Sequence, residues 1–240
     1  ELQLPLADYG RVALDYRVRA GIATSIGHAP QAGLADPAEG SRLAVSEALT
    51  NLVFAPLSDG LDSVSLSANW MWPCRSQKGE DARLYAAVEA LSRFCCELKI
   101  NVPTGKDSLS LSQQYPNGEK IISPGTVIVS AGGEVNDIRK VVNPVLQDVA
   151  KSSLYHIDFS SSPLSQGKAG DDVARVASAE YFRDAFNAVQ QLVQEGLLLA
   201  GHDISAGGLI TCLLEMCFAR VEGGLDVDLA KFRDTDLVRI

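Results

Sequence analysis

The sequence predicts an α+β fold in two parts. Residues 1–147 form a mixed or antiparallel sheet with flanking helices, and residues 148–240 a second, α/β part. Three observations carry this. Segments of period two and of period 3.6 both occur. The strand-like segments precede helix-like ones irregularly, without the βαβ alternation of a doubly wound sheet. A stretch containing Pro144 separates the two groups of elements and places the boundary near residue 148.

Taken in order, Val12, Leu14, Tyr16 and Val18 alternate as in a half-buried strand. Residues 21–40, rich in Gly, Ala and Pro, predict a long functional loop. A helix follows over 41–54, with Ser41 near its N-cap and Val45, Leu49, Leu52 and Val53 as its buried face. A strand at 63–68 and a helix at 81–98 come next, the helix with an apolar stripe of Tyr85, Val88, Leu91, Cys95 and Leu98. A strand at 126–131 closes the first part. The second part predicts a strand at 153–159, a Ser-rich loop at 160–172, and a helix at 179–194 capped by Ser178 and ended by Gly196. An apolar run at 197–200, a helix at 209–219 and a strand near 225–229 complete it.

Composition excludes several classes of function. A net charge of −9 argues against a nucleic-acid-binding face. No apolar run approaches the roughly 18 residues of a membrane span, and no signal peptide is present, so a cytoplasmic chain is expected. The odd count of five cysteines, two of them within a helical pattern, favours reduced thiols over disulfides.

Two segments point to chemistry. His202-Asp203-Ile204-Ser205-Ala206-Gly207-Gly208 lies between the apolar run and the last helix. The free N–H groups and dipole of a glycine-opened helix start favour a phosphate, and Asp203 can hold the cation that accompanies one. The same composition also serves an ordinary capped helix start. Glu47 and Asn51, at i and i+4, share one helix face, and two oxygen-bearing side chains stacked this way suit a hard cation such as Mg²⁺. Alone, the pair also fits a solvated face. Gly105-Lys106-Asp107-Ser108 is not a P-loop, because Ile100 and Asp107 stand where that pattern requires Gly and Ser or Thr. Trp70 and Trp72 suit stacking on a purine but are more often packing residues, and His202, beside Asp203, suits acid–base chemistry but reads first as structural.

Together with Ser67-Ala68-Asn69-Trp70-Met71, Gly79-Glu80-Asp81-Ala82 and Pro103-Thr104-Gly105-Lys106-Asp107-Ser108, the 41–52 and 202–209 segments closely resemble the phosphoribosylformylglycinamidine synthase family. The five motifs stand in the family's order and span most of the chain. The resemblance implies the second of two tandem copies of an aminoimidazole ribonucleotide synthetase-like fold, with its C-terminal half cut short. The family's Thr-His-Asn-His-Pro segment and glycine-rich loop do not occur here, and its glutaminase domain lies outside the match. Glu1 in place of an initiator Met fits an excised fragment.

For the whole enzyme the resemblance implies conversion of formylglycinamide ribonucleotide, glutamine and ATP to the amidine. ATP activates the formyl amide oxygen and ammonia displaces the resulting phosphate ester. For this chain it implies an auxiliary site for Mg²⁺ and ADP or ATP, with no catalytic residue and no synthase activity in isolation. Carried over position by position, Asp8, Glu47, Asn51 and Asp203 become the magnesium set. Ala7 and Ser205 become nucleotide contacts, and Lys106, in a loop near the site, a phosphate contact. The implied partners are the nucleotide and the remainder of the parent chain, with a homodimer of the isolated piece imitating the family's internal pairing. A free-standing ATP-using enzyme of the same superfamily and a non-catalytic nucleotide-stabilised scaffold remain the alternatives.

Overall fold

The computed structural model describes residues 6–16, 19–147, 152–160, 175–176, 178–219 and 224–228. A five-stranded sheet organises them, in the order β1 (Gly10–Ala13), β2 (Gly21–His28), β7 (Thr126–Val135), β3 (Val64–Met71), β4 (Asn101–Ser108). Every pairing is antiparallel except β3 with β4, which run parallel. A small hairpin of β5 (Ser112–Gln114) and β6 (Lys120–Ile122) stands apart. Helices α2 (Pro37–Leu52) and α3 (Glu80–Leu98) cover one face of the sheet. The short α1 (Pro30–Ala35) precedes α2, and α4 (Ala179–Gln194) packs on α3 and on the 3-10 turn Gly60–Ser63. The last helix is α5 (Gly208–Phe218).

The segment expected to be a long loop holds β2, α1 and the first turn of α2. Its apolar pattern is inverted, which hides it: Gly21, Ala23, Ser25 and Gly27 face inward, while Ile22, Thr24, Ile26 and His28 face outward. Small inward residues let α2 lie directly on β2. A Cβ on Gly27 would stand 2.2 Å from the Ala44 carbonyl oxygen and 2.2 Å from the Ala48 nitrogen. The Ser25 hydroxyl donates to the Ala48 carbonyl at 2.5 Å. Helix α2 starts at Pro37, four residues earlier than expected, because Asp36 caps it by accepting from the Ala38 and Glu39 N–H groups. Ser41 is buried inside the helix and donates to the Ala38 and Ala87 carbonyls. Val45, Leu49, Leu52 and Val53 form the buried face as expected.

Further expectations are corrected. Only Gly10–Ala13 is strand in the first segment, and Val12, Leu14 and Tyr16 are exposed; Val18 lies outside the described residues. On α3, Tyr85 and Val88 point to solvent, and Ala87, Leu91, Phe94, Cys95 and Leu98 face the core. The GKDS segment belongs to β4 rather than to a loop, and Pro103 sits there on an edge strand, where a missing N–H costs least. Residues 153–159 and 197–200 are irregular, with no partner strand among the described residues; next to the former, Ser160 bridges Val176. Residues 224–228 are irregular too, while 229 and most of the Ser-rich loop (161–172) fall outside the described residues, as do 148–151. Trp70 and Trp72 are buried, with ring centroids 6.4 Å apart, which makes them packing residues. All five cysteines are free.

Candidate metal centre

Asp8 precedes the edge strand β1, in a segment pinned by its neighbour. The Tyr9 hydroxyl donates to the Phe54 carbonyl (3.2 Å) just beyond α2 and to the Val142 carbonyl (3.4 Å). Burial pushes the Tyr9 phenol up to about 12, so it stays a donor. The adjoining Asn143 carbonyl accepts from the Gly201 N–H at 3.0 Å, which delivers the 201–207 turn to the same place. Gly207 holds φ +98 ahead of α5, a conformation that side-chain-bearing residues rarely adopt. The turn and α5 thereby aim His202 and Asp203 back at Asp8.

The result is a nearly dry cluster of charged groups. The His202 and Asp203 side chains are 6% and 4% exposed, and that of Asp8 is 4%. His202 Nδ1 lies 2.6 Å from Asp8 Oδ1 and 3.7 Å from Asp203 Oδ1, and its Nε2 lies 2.8 Å from Glu215 Oε2 on α5. Both ring nitrogens face carboxylate oxygens. Glu47, half-buried on α2, is close enough to feel the Asp8 charge, and Asn51 supports its carboxylate. Asn51 also donates to the Ile26 carbonyl (3.1 Å), which joins α2 to β2 at the rim. Ser205, on the turn, accepts from the Gly208 N–H through its backbone carbonyl (3.0 Å). Ala7 and Asp8 open onto a groove of about 500 Å³ floored by Thr24, Ser25, Ile26, Ser130 and Ala131.

The electrostatics show an excess of buried negative charge. Burial, then the charges of Asp8 and Glu47, push Asp203 up to about 8. Burial, opposed by Asn51 and reinforced by Asp8, pushes Glu47 up to about 7. Burial raises Asp8 as well, and the His202 hydrogen bond only partly offsets it. For His202 burial works against the charged ring, but Asp8, Glu215 and Asp203 outweigh it and lift the imidazole to about 9. One buried oxygen is left over. Asp203 Oδ2 has no hydrogen-bond partner among the described residues, an arrangement that costs about 1–3 kcal/mol unless something fills it. Three carboxylates of raised proton affinity around an orphaned oxygen match the hard-oxygen donor set of Mg²⁺.

The structure therefore brings together Asp8, Asp203 and Glu47, with Asn51 beside Glu47, Ser205 on the turn that carries Asp203, and Ala7 at the groove. It does not bring Lys106 there. That residue lies on β4, at the sheet edge opposite β1, and its Nζ donates to Ser108 Oγ at 2.8 Å. Two residues that sequence reasoning did not assign to the site belong to the cluster. His202 looked structural because its partners lie 194 and 13 positions away. Glu215 went unnoticed, although it is the single charged residue of an otherwise apolar α5, and that was a legible signal.

Residues 1–134 match the family model for the FGAR-AT PurM_N-like domain, and residues 150–238 that for the AIR synthase related protein, C-terminal domain. A phosphoribosylformylglycinamidine synthase of Drosophila melanogaster is 40% identical over 96% of this chain and 18% of its own length. One of Homo sapiens is 40% identical over 95% of this chain and 18% of its own. The chain thus spans less than a fifth of the curated relatives it matches. Among solved structures, T. maritima PurL complexed with FGAR superposes with a TM-score of 0.61 at 17% identity, covering 88% of this chain and 33% of that one. T. maritima PurL complexed with ADP gives 0.60 at 16% identity, covering 88% and 31%. At that identity the likeness carries the fold, an aminoimidazole ribonucleotide synthetase-like arrangement. With more than half of its residues matched by the first model, the chain belongs to the FGAR-AT PurM_N-like family.

Proposed function

We propose that this chain is a segment of a phosphoribosylformylglycinamidine synthase and that it contributes a magnesium–nucleotide site, auxiliary rather than catalytic. The parent reaction is then the ATP-dependent conversion of formylglycinamide ribonucleotide and glutamine to the amidine. The relatives' names support the reaction, and the PurL complexes with ADP and ATP support the nucleotide. The observation that carries the site is the buried, unpartnered Asp203 Oδ2 beside Asp8 and Glu47. Asp8, Glu47, Asn51 and Asp203 would hold Mg²⁺, which supplies charge neutralisation and phosphate positioning when bound. Ala7 borders the groove in which the nucleotide would lie, and Ser205, on the turn that carries Asp203, would reach it from that side. Lys106 is left out of this set because it stands at the far edge of the sheet.

A division into 1–147 and 148–240 belongs to the same proposal, as does a cytoplasmic setting, with which the free thiols agree. So does association. Beyond the groove, the outer sheet face carries exposed Val12 and Ile22, and covering that part with the rest of the parent chain, or with a second copy, removes its apolar surface from water. The deciding experiment is thermal unfolding with ADP, with and without magnesium. ADP should raise the melting temperature only when magnesium is present, by an amount that grows as RT ln(1 + [L]/Kd). Glu47→Gln should reduce the gain and leave the ligand-free fold nearly unchanged. An equal shift with and without magnesium, unaffected by Glu47→Gln, refutes the site.

A further inference from the structure

His202 sits between the two parts of the site, and its ring is fully committed. Nδ1 lies 2.6 Å from Asp8 Oδ1, and Nε2 lies 2.8 Å from Glu215 Oε2. The ring is 6% exposed, and Glu215, at 27%, fixes its outer end from α5. With both nitrogens occupied by carboxylates, the imidazole cannot take a cation without releasing one of them. It can, however, fix the rotation of the Asp8 carboxylate. Asp8 takes its hydrogen bonds from His202 first and from Asp203 second. It stands in an irregular segment ahead of an edge strand, and the Asp203 carboxylate it must face belongs to a turn 195 positions later in the chain.

We infer that His202, anchored by Glu215, is a positioning residue that orients Asp8 toward Asp203 for a divalent cation. The inference rests on the magnesium reading above and adds two residues to it. Groups of this kind, which hydrogen-bond a ligand rather than the metal, typically change metal affinity about 10–100-fold when removed. Asp203 lies farther from the ring, 3.7 Å from Nδ1, and its second oxygen has no partner among the described residues.

Amide substitutions separate positioning from packing. An Asn amide nitrogen takes the place of Nδ1, and a Gln amide nitrogen that of Nε2. His202→Asn therefore keeps a donor for Asp8 and loses Glu215, whereas His202→Gln does the reverse. Magnesium is titrated calorimetrically into the whole chain at saturating ADP, and the fold is followed separately by thermal unfolding without ligand. His202→Gln should weaken magnesium at least about 10-fold, and His202→Asn should stay within about 3-fold of the unaltered chain. Glu215→Ala, at the more exposed end, should fall between the two and provides a reading should a His202 variant fail to fold. Asp203→Asn is the control for the site. If it binds magnesium as tightly as the unaltered chain, or if the unaltered chain binds none, the site and the inference fall together. If Asp203→Asn loses magnesium but His202→Gln and Glu215→Ala keep full affinity, the inference alone is overturned. Equal losses in Asn and Gln variants that follow their melting temperatures would also overturn it.

Discussion

Replacing Gln190 with Leu should destabilise the fold by about 3 kcal/mol, although the two side chains are nearly equal in volume. Gln190 lies on α4, is 4% exposed, and reaches into the 53–57 segment that follows α2. Its Nε2 donates to the Val53 carbonyl (2.5 Å) and the Ala55 carbonyl (2.8 Å), while its Oε1 accepts from the Leu57 N–H (3.2 Å). Leu57 N–H and the Ala55 carbonyl also bond each other at 2.8 Å, so Leu would leave these two half-satisfied and the Val53 carbonyl without that donor. One orphaned carbonyl costs about 1–3 kcal/mol and each further lost bond about 1 kcal/mol. The extra apolar burial of Leu returns part of this. For a chain of this size each kcal/mol lowers the melting temperature by about 2–4 °C, so the shift should be about 6–12 °C. Gln190→Glu is the sharper variant. It aims a carboxylate at two carbonyl oxygens, and the stability lost at neutral pH should partly return on acidification, where the neutral acid can donate. Urea unfolding and calorimetry both measure this, with the exposed Gln191→Leu as control. A Gln190→Leu chain within about 0.5 kcal/mol of the original would show that packing, not hydrogen bonding, joins α4 to the sheet domain.

Other outcomes follow from the same structure. Gly27→Ala puts a methyl group on the backbone of α2, so it should cost more than an ordinary overpacking substitution of about 1–3 kcal/mol; a mild effect in urea unfolding would contradict the close approach of α2 and β2. In chelator, stability should fall as pH rises from about 5 to 9. Asp203 and Glu47 are raised from 3.8 and 4.5 to about 8 and about 7, and His202 from 6.5 to about 9, so the folded chain holds more protons than the unfolded one throughout that window. Excess magnesium should flatten the slope, and a melting temperature that rises over this range in chelator would refute the cluster's electrostatics. The isolated chain should form a homodimer through its uncovered sheet face, and light scattering that shows only monomer up to millimolar concentration would exclude this.

What could be read from the sequence depended on where each element's contacts lie. The buried face of α2 and the Ser178-capped α4 were legible because periodicity and capping are local signals. β2 was not, since it packs through Gly, Ala and Ser and turns its isoleucines outward, reversing the usual pattern. The runs at 153–159 and 197–200 have strand composition but no neighbouring strand among the described residues, and a strand without a partner has no ladder to hold it. Glu47, Asn51 and Asp203 were candidates from residue type and spacing, while Asp8 emerged only through family resemblance. Their juxtaposition follows from contacts such as those of Tyr9 and Gly201, which no local pattern encodes. His202 and Glu215 stayed hidden for the same reason.

The pairing of Asp8 with His202, 194 positions apart, also has a consequence for biogenesis. Translation runs at about 5–20 residues per second, so Asp8 leaves the ribosome roughly 10–40 seconds before its partner exists. The sheet helices and most strands can assemble within that interval from nearer neighbours. The cation centre cannot, because one of its walls is still unsynthesised. A nucleotide and metal held as proposed could therefore act only after the 202–215 segment has followed, as a seal on a sheet already assembled and not as a template for its early steps.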